Sequence, residues 1–315
     1  MFFTFVLLSL TTGALFALSL FSAVFEGPIL IFFPILVVFV ALLTKVVTLV
    51  LPEYKRHCKD RVRPDALVLL TVVAGAVLSY ILNVHLELGA IVASALVGIV
   101  GAVMVPGYAV PIYCGSFVGM VSPLVLHDFL HVLIAGIIAG TIFMFSKGIY
   151  NGYGGKLGAC AFISWIIVNL FSSVELLTPQ SPDLALMLEI TIYSAVAAYL
   201  TYLFSTRLKH DVVTSSSLVS LLAGLVLPAI HPETGGMLSA VAMSASFAGM
   251  SSKKVVKTDY DMLIISVMVG LMFVYSYTHF GGAGGKLGTI AFGSVIAYRG
   301  FFAFYRRFLL KRRKT

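Results

Sequence analysis

Charged side chains are scarce in this chain of 315 residues. Asp, Glu, Lys and Arg together make up 11% of it, whereas soluble domains contain about 25%. Apolar residues reach 60%, and the mean hydropathy is +1.05. This balance excludes an ordinary soluble domain. Because the apolar runs are long enough for membrane helices, the sequence predicts an all-α polytopic membrane protein.

Cysteine and the common enzyme motifs are also scarce or missing. The three cysteines, Cys58, Cys114 and Cys160, have unrelated spacings, so neither a disulfide framework nor a zinc site is expected. The Walker A pattern fails because Leu157 and Leu287 follow the lysines where Ser or Thr is required. His-Glu-x-x-His and Gly-x-Ser-x-Gly runs are absent as well. We therefore expect no enzyme, no cofactor and no metal.

Long apolar runs supply the membrane segments. Runs of about 17 to 25 residues predict twelve spans, with ten to twelve as the range. Segments 108–125 and 235–251 contain several Gly or Pro residues and are the candidates for broken or partly unwound helices. The predicted spans are 2–24, 28–51, 64–84, 88–105, 108–125, 129–146, 155–174, 184–205, 213–230, 235–251, 260–277 and 286–304.

Basic residues are concentrated in alternate connections. With twelve spans they fall on one side of the membrane, which the positive-inside rule makes cytoplasmic. Both termini are therefore expected in the cytoplasm, in a plasma or bacterial inner membrane. This topology accounts for the net charge of +8, so nucleic acid is not expected as a partner. The basic residues are Lys55, Arg56, Lys59, Arg61, Arg63, Lys147, Lys156, Arg207, Lys209, Lys253, Lys254, Lys257 and those of the tail.

Two motifs recur at the same offset. Gly-Tyr-Gly-Gly-Lys-Leu-Gly at 152–158 returns as Gly-Ala-Gly-Gly-Lys-Leu-Gly at 282–288. Gly-Ser-Phe-Val-Gly-Met at 115–120 returns as Ala-Ser-Phe-Ala-Gly-Met at 245–250. Two matches at one offset indicate a duplication. The predicted spans between the two lysine motifs are odd in number, so the copies begin on opposite faces and the repeat is inverted.

The chain therefore divides into five parts. Two N-terminal spans (1–51) and a basic cytoplasmic loop (52–63) precede inverted repeat 1 (64–174) and inverted repeat 2 (184–305), and a basic cytoplasmic tail (306–315) follows. Two five-helix repeats in this arrangement resemble, at the level of fold, the layout of bacterial urea channels and several secondary carriers, although no sequence motif is matched. Such a layout implies a substrate site between the halves but does not fix the function.

The Gly-Gly-Lys turns are the first candidate for solute binding. Free backbone N–H groups, a positive helix end and a neighbouring lysine favour an anion. Lys286 lies on the side that otherwise lacks loop lysines. The alternative is that the glycines only permit turns and close packing, while the lysines reach the headgroups. The candidates are Gly154, Gly155, Lys156, Gly158, Gly284, Gly285, Lys286 and Gly288.

The Ser-Phe-x-Gly-Met motifs are the second candidate. Their serines offer hydroxyls where polar groups are scarce, and their phenylalanines could form symmetric constrictions that close a pore by dewetting. Small residues that merely pack helices are the alternative interpretation. The candidates are Ser116, Phe117, Gly119, Ser246, Phe247 and Gly249.

Four titratable residues are candidates for proton or ion coupling. Glu189 lies inside the eighth predicted span, where a carboxylate is expensive. His127 and His131 share one helical face, and Asp128 lies beside them. Because no further ligands are identifiable, protonation of the histidines is a better interpretation than metal binding.

These observations predict a membrane transporter or channel for a small polar or anionic solute, with its pathway between the inverted repeats. A flippase for a lipid or lipid-linked substrate and a non-transporting membrane scaffold are the alternatives. The expected partners are the solute and the lipid bilayer, and assembly into a homo-oligomer is left open.

If the repeat lysines bind the solute, Lys156→Ala combined with Lys286→Ala should lower solute flux in proteoliposomes about tenfold or more, since a hydrogen bond to a charged group contributes about 1.5–3 kcal/mol. Lys209→Ala, in a different basic loop, is the matched control. Unchanged flux in the double variant would contradict a role for the lysines.

Overall fold

The computed structural model describes residues 1–25, 27–57, 64–125, 128–172, 177, 179, 182 and 184–312. These residues form twelve α-helices and no β-strand, as the sequence predicts. A π-helical turn, Ile81–His85, follows α3, and a 3₁₀ turn, Pro106–Tyr108, leads into α5. The helices are α1 (Phe2–Phe25), α2 (Ile29–His57), α3 (Ala66–Tyr80), α4 (Ala90–Met104), α5 (Ala109–Val118), α6 (Phe129–Phe145), α7 (Lys156–Ser172), α8 (Leu184–Thr206), α9 (Val212–Ile230), α10 (Gly235–Gly249), α11 (Asp259–Ser276) and α12 (Lys286–Arg312).

Apolar surface covers much of the described bundle. Six helices within the described ranges, α1, α2, α3, α8, α9 and α11, are long and apolar enough to cross a membrane. Helices α4, α6, α7 and α10 are apolar but shorter. Large apolar side chains point outward, and Phe171 is 88% exposed. Extensive exposed apolar surface marks contact with a membrane or partner, and these features are those of an α-helical membrane protein.

The two segments that were candidates for broken helices behave differently. Helix α5 ends at Val118, and the rest of segment 108–125 forms turns, as expected before Pro123, which disfavours helical backbone in the residue preceding it. Helix α10 is continuous, because Gly235 and Gly236 lie in its first turn rather than in its interior. The first segment is therefore broken and the second is not.

Two helices are longer than predicted. Helix α2 continues through Pro52 to His57, so the beginning of the predicted basic loop is helical, while 58–63 lie outside the described residues. Helix α12 continues to Arg312 and includes most of the predicted tail. Apolar run length underestimates both helices because a helix can extend beyond the apolar run into polar sequence.

Acidic side chains cap several helices. Asp65 and Asp211 accept hydrogen bonds from the first turns of α3 and α9. Thr258 and Asp261 form a capping box at α11. Such caps satisfy N–H groups that a helix leaves unpaired, which explains why carboxylates occur at these boundaries.

Glycines let helices pack backbone to backbone within each half. A Cβ atom on Gly115 of α5 would lie 1.9 Å from the carbonyl oxygen of Val72 in α3. One on Gly119 would lie 2.3 Å from the carbonyl oxygen of Ala76. In the second half, a Cβ on Gly249 would lie 2.6 Å from a carbonyl oxygen of α8. Both short helices, α5 and α10, are thus held against a longer helix by glycine contacts.

Helix α1 contacts the two turns that lead into the Gly-Gly-Lys motifs. The Ser9 hydroxyl forms a hydrogen bond of 2.8 Å with the Tyr150 hydroxyl, just after α6. The Ser22 hydroxyl forms one of 2.8 Å with Nε2 of His279, just after α11. Ser9 and Ser22 are 13 positions apart, which corresponds to about 20 Å along a helix. The turns that follow α6 and α11 therefore lie at different heights along α1.

The packing of α3 against α5 should fail when Gly115 gains a side chain. Gly115→Ala is expected to lower the free energy of unfolding by about 1–3 kcal/mol, since the methyl group would overlap a backbone carbonyl that cannot move independently. Gly13→Ala in α1 is the control, because no atom lies within 4 Å of the added methyl position. Thermal unfolding in detergent measures both. Equal melting temperatures for the two variants would refute this packing.

Candidate functional site

The two Gly-Gly-Lys turns lie against each other. Gly155 and Gly285 each have a φ of 82°, which favours glycine. A Cβ on Gly155 would lie 2.4 Å from the carbonyl oxygen of Gly288, and one on Gly285 would lie 2.4 Å from that of Gly158. The structure therefore brings together the two motif copies that are 130 residues apart in sequence.

Contacts between these turns show how α7 and α12 are oriented. Gly158 and Gly288 face each other, and a Cβ on either would lie 2.6 Å from the Cα atom of the other. Gly155, which precedes α7, lies instead beside Phe292, well inside α12. Gly285, which precedes α12, makes the equivalent contact with α7, and the distance is the same. An earlier position on one helix meets a later position on the other, so the two helices cross antiparallel in their first turns.

Each turn also packs against the end of a short helix from the other half. A Cβ on Gly154 would lie 2.2 Å from the carbonyl oxygen of Phe247, at the end of α10. One on Gly284 would lie 2.5 Å from that of Phe117, at the end of α5. Backbone hydrogen bonds of 2.9 Å complete the contacts, from Ser252 N to the Gly152 oxygen and from Ser122 N to the Gly282 oxygen. The two repeated motifs thus form one interlocked region.

Backbone carbonyls hold both repeat lysines. Lys286 Nζ donates to the carbonyl oxygens of Ser276, Tyr277 and His279 at 3.1, 3.1 and 2.7 Å. Lys156 Nζ donates to two carbonyls after α6, at 3.3 and 3.0 Å. The C-terminal end of a helix favours a cation. Each ammonium group therefore links the start of its own helix to the turn that follows the preceding helix. Lys286 is only 8% exposed.

A buried aromatic cluster lies between the halves. We use this name for Tyr113 and Phe117 of α5 and Phe247 of α10. The ring centroids of Phe117 and Phe247 are 4.6 Å apart, and those of Tyr113 and Phe117 are 4.4 Å apart. None of the three side chains is more than 2% exposed. The two phenylalanines of the repeated motif are thus in direct contact.

A serine cluster borders these rings, and sequence reasoning recognised only part of it. Ser116 and Ser246 belong to the repeated motifs, whereas the run of serines in α9 has no motif and is evident only as polar residues in an apolar helix. All six side chains are buried: Ser94 of α4, Ser116 of α5, Ser216, Ser217 and Ser220 of α9, and Ser246 of α10. Hydrogen bonds link Ser94 with Ser116 at 2.8 Å, Ser246 with Ser216 and Ser220 at 3.0 Å each, and Tyr113 with Ser216 at 3.2 Å.

Two cavities lie at opposite ends of α5. A cavity of about 810 Å³ touches Pro111 near the start of α5, and Lys156 contributes to its wall. Another of about 290 Å³ touches Met120 just beyond the end of α5, and Lys286 contributes to its wall. Tyr113 and Phe117 lie between Pro111 and Met120 in sequence, and no ring of the aromatic cluster is among the residues that line either cavity.

The candidates for proton or ion coupling do not contribute to the contacts described above. Asp128 caps α6 through the Leu130 N–H at 2.9 Å, and its carboxylate lies 3.2 Å from Nδ1 of His131. Glu189 is half-buried in the second turn of α8. His127 lies outside the described residues. Among those described, no three metal-ligating side chains converge.

Comparisons of the chain with known protein families, with curated proteins and with solved structures find no match. The interpretation of the site therefore depends on its own geometry.

Removing the Lys286 ammonium should destabilise the fold. Lys286→Met would leave three carbonyls without their donor, at about 1–3 kcal/mol for each one that stays buried and unpaired. We expect the melting temperature in detergent to fall by on the order of 5 °C or more. Lys147→Met, at an exposed lysine, should change it little. Similar melting temperatures for both variants would contradict the structural role of Lys286.

Proposed function

We propose that the chain is a membrane transporter or channel for a small polar or anionic solute, with a pathway between two inverted five-helix halves. The antiparallel crossing of α7 and α12 at Gly158 and Gly288 is the observation that carries this proposal. It supports an arrangement in which equivalent helices enter the membrane from opposite sides. Inverted repeats of this kind commonly form solute sites where the repeats meet.

Two further contacts support the inverted arrangement. Gly98 of α4 lies beside Ser217 of α9, and Val92 of α4 lies beside Gly224 of α9. A later residue of one helix therefore meets an earlier residue of the other, so these two helices also pack antiparallel. Helix α1 meets the turns after α6 and α11 at points about 20 Å apart. The basic loops support, through the positive-inside rule, our proposal that both termini are cytoplasmic and that the protein lies in a plasma or bacterial inner membrane.

The two cavities and the aromatic cluster suggest the route. Each cavity is bordered by a repeat lysine and by residues at one end of α5. In this proposal, the packed rings of Tyr113, Phe117 and Phe247 form the barrier between the two cavities. Apolar constrictions can gate a pore by excluding water. In this proposal, a shift of the two phenylalanine rings joins the cavities.

A lipid flippase is a second candidate, because an apolar groove opens on the outside of the bundle. The groove lies between α8 and α9, has a volume of about 310 Å³ and is bordered by Leu200, Phe204, Leu222 and Val226. Its lining would accept an acyl chain. The buried hydroxyls between the halves favour the solute pathway over this route.

Opening the aromatic cluster tests the proposal. Phe117→Ala combined with Phe247→Ala should raise the flux of small polar solutes and anions into proteoliposomes at least about tenfold, because removal of two rings relieves the apolar constriction. Phe171→Leu, which changes a ring on the outer surface, is the control. If neither the native protein nor the double variant exceeds empty liposomes, the proposal is wrong. Movement of a fluorescent lipid between leaflets without solute flux would select the flippase.

A further inference from the structure

The four helices that meet at the aromatic cluster carry hydroxyl groups and no charged side chains. The sequences of α4, α5, α9 and α10 contain no Asp, Glu, Lys, Arg or His. Three of these helices supply two or more of the buried residues Tyr113, Phe117, Phe247 and the serine cluster. The four helices around the aromatic cluster are thus polar at a few hydroxyls but carry no charged side chain.

The hydroxyls form a connected chain that crosses between the halves. Tyr113 of the first half bonds to Ser216 of the second, which bonds to Ser246, which in turn bonds to Ser220. Each hydroxyl has one donor and two acceptor sites, and its hydrogen can rotate. Ser246 donates its hydrogen to the Met243 carbonyl oxygen at 2.8 Å and so accepts from both serines of α9, which leaves acceptor sites on Ser216 and Ser220 for a neighbouring molecule.

Ser217 has unused hydrogen-bonding capacity in this region. Its hydroxyl is fully buried near the Tyr113 phenol and beside Gly98. It has no hydrogen-bond partner of good geometry among the described residues. A buried polar group without a partner costs free energy, so this position would gain from a polar atom of a bound molecule.

Both repeat lysines donate to backbone carbonyls. An ammonium group has three donors, and those of Lys286 are matched by three backbone carbonyls. Lys156 donates to two carbonyls. An anion that left water for the serine cluster would find hydroxyls but no charged side chain on α4, α5, α9 or α10 to offset its desolvation, which is far more costly for an ion than for a neutral polar group.

On the basis of the proposed function, we propose that the transported solute is a small uncharged molecule with amide or hydroxyl groups, and that the serine cluster selects it. The hydroxyls replace the hydrogen bonds that such a solute makes with water. They discriminate against anions and cations because they supply no compensating charge. Ser246, whose own hydrogen-bonding sites are filled, is a positioning residue that holds Ser216 and Ser220 for the solute.

Acetamide and nitrate form a suitable pair of probes, since both are small and planar but only nitrate is charged. Flux of each is measured in proteoliposomes and corrected for empty liposomes, with the membrane potential clamped for nitrate. We expect the protein to pass acetamide at least about tenfold faster than nitrate. Nitrate flux equal to or faster than acetamide flux overturns the inference while leaving a transport function in place. Flux of neither probe, in the native protein or in the variant with both Phe117→Ala and Phe247→Ala, overturns the proposed function itself.

Serine variants test which residues select the solute. Ser246→Ala and, separately, Ser220→Ala should lower acetamide flux about tenfold or reduce the preference for acetamide over nitrate by a similar factor. Ser215→Ala is the matched control in α9, because Ser215 bonds only to the Asp211 carbonyl of its own helix, at 2.8 Å. Melting temperatures identify variants that fail to fold, and the two separate substitutions keep the test valid if one does. Two folded variants with native flux and selectivity overturn the role of the serine cluster.

Discussion

The contact between Gly158 and Gly288 is the constraint on which the rest of the central region depends. With hydrogen in place of a side chain at both positions, the backbones of α7 and α12 come closer than any other residue would allow. This approach lets each turn reach the end of a short helix in the opposite half. The same turns then place Lys156 and Lys286 beside the carbonyls that follow α6 and α11. The absence of side chains on these two glycines, where α7 crosses α12, thus determines where the two lysines and the two short helices lie.

Electrostatic balance in this region is achieved mainly through the backbone. Carbonyl groups at the end of a helix lack partners within the helix, and in an apolar medium they must find donors elsewhere. Lys286 provides three such donors, and Asn83 provides another pair by donating to the carbonyl oxygens of Gly119 and Val121 at 3.3 and 3.1 Å. The polar side chains of Lys286 and Asn83 therefore lie where a helix ends and its carbonyl groups need donors. The hydroxyls of the serine cluster lie instead between the halves.

Sequence reasoning predicted the number and type of the helices because each apolar run is bounded by polar or Gly-rich turns. It also identified the repeated motifs. It could not show that Gly155 contacts Gly288, because counting charges in the loops indicates on which side of the membrane a motif begins but not how deep in the membrane it lies. The ends of α2 and α12 were missed because a helix can extend beyond its apolar run into polar sequence. The serines of α9 were missed because a hydroxyl in a helix can bond to its own backbone, and only the packing shows which of them face the other half.

Helix α1 has a mechanical consequence. It is bonded to Tyr150 in the turn after α6 and to His279 in the turn after α11, so it acts as a strut between two turns that belong to opposite halves. Rigid-body rocking of one half against the other would lengthen or shorten this span and break at least one of the bonds. Rotation of ring side chains would break neither. The strut therefore resists tilting of one half against the other but leaves the buried rings free to rotate.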